Sequence, residues 1–152
     1  MKPRGFTFIE LMVVLALVGL LAVIAIPSYQ ESVRKSRRAE VRSQLMEVAQ
    51  YLQRFYSHNE SFATTKAGAA ATIPSELAKV PRNAAPGSQS YDISFATPAA
   101  GAINPGLASF KIQAVRRAGG PMDGDKCGDF TLENTGARNV LKATDTAANC
   151  WR

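Results

Sequence analysis

Twenty-one consecutive residues, from Phe6 to Ile26, carry one charged side chain, Glu10, and no other strongly polar one. As an α-helix the stretch is about 31 Å long, enough to cross a hydrocarbon core of about 30 Å. Only Met1-Lys2-Pro3-Arg4-Gly5 precedes it, short and basic, and Pro27 closes it. A mean hydropathy of -0.08 hides this concentration of apolar residues at one end of the 152-residue chain.

Three readings compete for the stretch. A secretory signal peptide would use Ala25 as the small residue before a cut, but Ile26-Pro27 fits poorly after it. A carboxylate inside the apolar region fits worse. A single-pass anchor explains the length and leaves Glu10 unexplained. A charged side chain at the centre of a membrane helix costs about 2.5–3.5 kcal/mol on insertion scales, so it needs a partner.

The third reading supplies one. Gly5-Phe6-Thr7-Phe8-Ile9-Glu10 resembles the type IV prepilin signature: a short basic leader ending in Gly, an apolar residue, Glu as the fifth residue after the cut, then a long apolar helix. The resemblance covers roughly the first 30 residues. It implies that prepilin peptidase cuts between Gly5 and Phe6 and methylates the new amine on Phe6. That cationic amine then neutralises Glu10 of a neighbouring subunit in the low-dielectric core of a fibre. A buried pair of this kind sets register more than it adds net stability, because either charge alone is costly. Gly19 and Pro27 match helix-weakening positions of the family, and the stretch between them is expected to unwind in the assembled fibre. Loss of the leader removes Lys2 and Arg4 and lowers the formal charge from +6 to +4. One cue points the other way. The leader has two basic residues, whereas Arg34, Lys35, Arg37, Arg38 and Arg42 follow the span, so positive-inside counting alone would place the C-terminal part in the cytoplasm.

After Pro27 the pattern becomes amphipathic. Val41, Leu45, Val48, Leu52 and Phe55 recur at spacings of four, three, four and three, which is one apolar stripe on a helix. The spacing predicts one helix over 6–56, kinked or loosened near Pro27, with the stripe packed on a head. The basic cluster Arg34–Arg42 reads as a solvated or inter-subunit face, a contact for anionic headgroups, or a groove for acidic neighbours.

From residue 58 the composition shifts, with nine of the eleven glycines and six of the eight prolines. Residues 64–86 read as a long surface loop, the position of the variable connecting loop in the resembled family. Alternation then marks strands: Tyr91, Ile93 and Phe95; Phe110, Ile112 and Ala114; Phe130 and Leu132; and a short fourth over Asn139–Lys142. An antiparallel sheet with one apolar face needs cover, and the helical stripe is available. The expected fold class is α+β, pilin-like, divided into a leader (1–5), a transmembrane and assembly helix (6–27), the amphipathic half of that helix (28–57) and a globular head (58–152).

An even number of cysteines in an exported domain favours a disulfide. By resemblance, Cys127 and Cys150 are the two ends of the C-terminal disulfide loop of type IVa pilins. Asp123-Gly124-Asp125-Lys126-Cys127-Gly128-Asp129 begins like an EF-hand loop, but its fifth position is Cys127 and its twelfth Asn134, so it reads as a polar turn. Asn59-Glu60-Ser61 satisfies a glycosylation pattern short enough to arise by chance. A single histidine, His58, excludes a His-cluster metal site and makes a Ser-His-Asp triad improbable. No nucleotide-binding or hydrolase motif is present. No catalytic residue, metal or cofactor is expected.

The function so implied is structural: a pilin subunit held in the inner membrane as a single-pass precursor with its head in the periplasm. Prepilin peptidase trims it, and inner-membrane machinery assembles it with other subunits into an extracellular fibre. The resembled family serves adhesion, twitching motility and DNA uptake. Two alternatives stay open. One is a type II secretion pseudopilin, against which the cysteine pair argues, since by resemblance the major pseudopilins use calcium instead. The other is a minor pilin that receives DNA. Its cationic candidates are Arg82, Lys111, Arg116, Arg117, Lys126, Arg138, Lys142 and Arg152, with Arg116-Arg117 the densest pair. The Cys-Trp-Arg ending leans toward a minor subunit.

Overall fold

The computed structural model describes residues 5–98, 100 and 102–152. Met1–Arg4, and with them most of the expected leader, lie outside the described residues. The chain divides into two units, Met1–Ser36 and Arg37–Arg152.

One helix, α1 (Phe8–Asn59), contributes to both units and continues through Pro27. Its start is written in the sequence as Thr-x-x-Glu. The Thr7 hydroxyl accepts from the Glu10 amide at 3.4 Å, and the Glu10 carboxylate accepts from the Thr7 amide at 3.5 Å. That is the reciprocal capping box, here at the long end of hydrogen-bond range. In the first unit nearly every large apolar side chain from Phe6 to Ile26 is exposed. The first half of α1 is long and apolar enough to cross a membrane.

In the second unit the helical stripe is the core. Val41, Leu45, Val48 and Leu52 are fully buried, and Phe55 is half-buried. Each such side chain contributes about 1.5–3 kcal/mol by leaving water. Among the described residues five strands follow: β1 (Lys79–Val80), β2 (Tyr91–Phe95), β3 (Lys111–Arg116), β4 (Asp129–Glu133) and β5 (Arg138–Leu141). They form one antiparallel sheet in the order β1-β2-β3-β4-β5. The register pairs Ile93 with Ala114 and Ala114 with Phe130, so the expected apolar positions line one face. Tyr91, Ile93, Phe110, Ile112, Ala114, Phe130 and Leu132 join the helical stripe in a single cluster. The expected α+β fold, a long N-terminal helix with an antiparallel sheet and a C-terminal disulfide, is present.

The long loop over residues 64–86 is more ordered than its composition suggests. It holds β1 and an isolated Thr64–Ala70 bridge, and it buries Ala71, Leu77 and Val80 against the core. The Gln44 side-chain amide, buried on α1, donates to the carbonyls of Leu77 and Lys79 and ties this segment to the helix. Cys127 and Cys150 are bonded, with both sulfurs buried. Cys150 ends a single-turn helix, α2 (Ala147–Cys150), capped by the Thr146 hydroxyl.

Candidate assembly segment and basic lip

Two features stand out as functional candidates, one in each unit. In the first, Gly5 and Phe6 precede α1 and are exposed, and Glu10 is an exposed acid in the first helical turn. Gly19 has open space where a Cβ would be, so close packing within the chain does not require a glycine there. An exposed, almost unbroken apolar helix cannot be satisfied by water. It calls for lipid or for other helices, and Glu10 calls for a cation wherever that apolar surface is covered.

The second feature assembles cations that the sequence scatters over 27 positions, from 116 to 142. Arg116 ends β3 and Arg117 follows it, Lys126 sits in the turn before β4, and Lys142 follows β5. The register brings Asp129 opposite Leu141, so the start of β4 meets the end of β5. That junction is tight. A Cβ on Gly128, at φ +63°, would lie 2.1 Å from the Leu141 carbonyl oxygen, and Lys142 itself is left-handed at φ 53°. A non-glycine residue held there costs about 1–2 kcal/mol and persists because its surroundings fix it.

The four cations differ in how free they are. The Arg116 side chain is 16% exposed. It donates to Asp129 Oδ1 at 3.4 Å, to the Asp125 carbonyl at 2.6 Å and to the Lys142 carbonyl at 3.4 Å. Arg117 is 40% exposed and 4.0 Å from Asp92. Lys126 is 49% exposed and 3.2 Å from Asp145. Lys142 is 76% exposed and 3.7 Å from Asp129. Arg116 is thus an internal strut between the Asp125 turn and Lys142, the exposed Lys126 and Lys142 form a solvent-facing basic lip, and Arg117 turns to Asp92 on β2. Ion pairs this exposed contribute about 0–1 kcal/mol and can exchange carboxylate for phosphate at little cost.

The remaining cationic candidates fall elsewhere. Arg82 pairs with Glu47, and Lys111 with Glu133. The Arg138 guanidinium lies 5.4 Å from the centre of the Trp151 ring, and Trp151 donates to the Asn139 carbonyl. Arg152 is exposed at the end of the chain.

The structure redistributes the basic cluster after Pro27. Arg37 donates to the Ser90 hydroxyl at 2.6 Å, and Arg42 to the Cys150 carbonyl at 3.2 Å. Arg38 is buried and grips Asp125. The expectation of a solvated or inter-subunit face fails for Arg38, because the polar turn before the disulfide folds onto it. Burial, then the nearby Arg38, hold the Arg42 guanidinium below its ordinary pKa.

The EF-hand-like stretch is arranged around these groups rather than around a cation. Asp123 accepts from the Gly119 amide, Asp125 from Arg38 and the Cys127 amide, and Asp129 from Arg116. Cys127, Cys150 and Asp145 lie close enough to share an ion, but the disulfide engages both sulfurs. Asn59 uses both side-chain polar atoms within the chain, toward Phe55 and Lys66, and Ser61 is buried. The Tyr91 hydroxyl is buried with no hydrogen-bond partner among the described residues. Desolvation, followed by the charge of Asp125, raises its pKa far above the ordinary phenol value.

Comparison with known proteins adds the family. Residues 1–26 match the prokaryotic N-terminal methylation motif. The type IV major alpha-pilin of Moraxella bovis is 50% identical over 42 residues, 28% of this chain and 26% of that protein. The type IV major pilin protein PilA of Myxococcus xanthus (strain DK1622) is 37% identical over 62 residues, 41% of this chain and 28% of that protein. The chain thus covers about a quarter of the length of these curated relatives. Among solved structures it is similar to the non-core minor pilin PilV of Neisseria meningitidis, with a TM-score of 0.49 and 19% identity over 76% of this chain and 94% of that one. A type IV pilin from Shewanella oneidensis has a TM-score of 0.43 and 25% identity over 78% of this chain and 97% of that one. Residues 27–131, well over half of the chain, match the family described as type IV minor pilin ComP, DNA uptake sequence receptor, and the chain belongs to that family.

Proposed function

We propose that this chain is a type IV minor pilin whose head receives DNA at the basic lip. The observation that carries the reading is the Arg116 strut, which bonds both to the Asp125 carbonyl beside Lys126 and to the Lys142 carbonyl, on a head that matches a DNA-receptor family. Exposed cations suit a phosphate backbone, whose binding is driven by counterion release. Of the Arg116-Arg117 pair, Arg117 meets the duplex and Arg116 braces it from behind. The role is structural and binding rather than enzymatic.

The same reading covers the N-terminal unit. Prepilin peptidase removes Met1–Gly5 and methylates Phe6. The segment 6–27 holds the precursor in the inner membrane, with 28–57 as the amphipathic half of the helix and 58–152 as a periplasmic head. Inner-membrane machinery then moves the subunit into an extracellular fibre with other pilins, where the Phe6 amine of one subunit faces Glu10 of the next. Gly19 and Pro27 allow the helix to loosen between them.

Duplex binding by the full-length chain in detergent tests the DNA reading. Three phosphate contacts give a slope of about -2.7 for log affinity against log salt. The triple variant Arg117→Ala, Lys126→Ala, Lys142→Ala should flatten that slope and lose most of the affinity. Salt-independent binding by the parent, or undiminished binding by the variant, removes the lip as the receptor.

A further inference from the structure

The lip stands on an arginine that the head buries. Arg38 lies on α1 three residues before Val41, at the start of the apolar stripe, and its Nε donates to Asp125 Oδ1 and Oδ2 at 3.2 and 3.1 Å. Its Nη2 adds a further bond to Oδ1. The Asp125 carboxylate also accepts from the Cys127 amide at 3.1 Å, and the Asp125 carbonyl accepts from Arg116. Arg116 reaches on to Asp129 and to the Lys142 carbonyl. A continuous path therefore runs from the helix, through one turn, to three of the four cations. One helical turn beyond Arg38, Arg42 holds the Cys150 carbonyl at the other end of the disulfide.

A buried ion pair is an inefficient way to stabilise a fold. Apolar residues of similar volume often do as well or better. What a bidentate guanidinium–carboxylate pair supplies is geometry, because the planar fork fixes the carboxylate in position and orientation. Here the fixed carboxylate belongs to the turn that carries Lys126 and braces Arg116.

We propose that Arg38 is a positioning residue for DNA binding: from inside the head it holds the Asp125 turn so that Lys126 and Lys142 keep the places a phosphate backbone requires. The proposal rests on the lip being the DNA surface. Arg38 touches no DNA, and the charge it contributes to the surface is already neutralised by Asp125.

The test uses the full-length chain in detergent. Arg38→Met combined with Asp125→Leu removes the pair without leaving either charge alone, and Arg38→Lys keeps the charge but loses the fork. Two quantities are read: duplex affinity at fixed salt, and hydrogen exchange without DNA at the amides of Gly128 and Thr144, which bond to the Asp125 and Lys126 carbonyls. In a folded, disulfide-bonded double variant, both amides should exchange faster. Affinity should fall about tenfold, as for one or two lost phosphate contacts. Arg38→Lys should recover part of both. Wild-type affinity in the double variant overturns the proposal, whatever the exchange. Lower affinity with unchanged exchange also overturns it, since the pair would then act through charge rather than position. Should the double variant fail to fold, Arg38→Lys decides on the same two readings. A parent chain that binds no duplex removes the DNA reading and this proposal with it, and the exchange data, collected without DNA, separate that case from a misplaced lip.

Discussion

The two units treat apolar surface in opposite ways. In the head, Leu45, Leu52, Ile112 and Phe130 are buried against one another, and exposed large apolar residues are exceptions such as Ile103 and Leu107. In the first unit, exposure is the rule from Phe6 to Ile26. The head therefore meets its own requirements, with its stripe covered by its sheet, its cysteines joined and its buried arginine paired. The apolar segment meets almost none of its own: beyond the cap that Glu10 makes with Thr7, its apolar surface is left for other molecules. A chain built this way divides its work. On the function proposed above, the unit that is complete alone offers the binding surface, and the incomplete one drives assembly.

The largest expected contrast lies in core leucines. Leu45→Ala should destabilise the head by about 2–5 kcal/mol, the range for emptying a buried leucine site. Leu17→Ala, an equal loss of side chain in the exposed segment, should leave head melting unchanged. Thermal unfolding of both variants followed through head tertiary signals would measure the difference. A fall with Leu17→Ala would mean that the two units share a core.

Removing the disulfide sharpens the same point within the head. With Cys127 and Cys150 closing a separation of 23 residues, the double serine variant should lose about 3.5 kcal/mol in the chain-entropy account. Denaturant unfolding measures this, and an unchanged midpoint would show that the C-terminal loop is held by Arg42, Trp151 and the Asp125 turn without it.

The smallest effect concerns pH. The Asn149 side chain, then the Thr146 amide and Lys126, hold the Asp145 carboxyl below its ordinary value of 3.8. A depressed carboxyl contributes stability that is present above the unfolded-state value and is lost as pH falls through the folded one. The Asp145–Lys126 contact should therefore persist from neutral pH down past the usual aspartate range. An NMR titration of Asp145 should give a low midpoint that rises in Asn149→Ala. A midpoint that does not move would assign the shift to another neighbour.

Much of this was legible from spacing. The period of the Val41–Phe55 stripe and the alternation in β2, β3 and β4 place the core because burial and backbone geometry leave their mark on the order of residues. Elements too short to show a period were not legible: β1 has two residues and α2 four, so neither repeats. Arg38 was misread for another reason. It extends the stripe by three residues, which was a usable signal, but four other basic residues surround it, and its partner Asp125 is 87 positions away. The lip was visible only as a list of cations, because the Arg116 bonds that join the Asp125 turn to Lys142 exist only in the folded head. The Thr7–Glu10 capping box was hidden by the prepilin signature that shares its glutamate. Glu10 therefore has a local role in starting the helix as well as the assembly role proposed for it.

The division of labour is tested most directly by one quantity: the fraction of Glu10→Gln chain recovered in fibres sheared from cells, relative to the parent. Glutamine keeps a side-chain oxygen for the cap and removes the charge. The account predicts that incorporation is lost or falls sharply while the extracted protein still carries its disulfide and binds duplex as the parent does. Fibres that take up the variant as readily as the parent would contradict it.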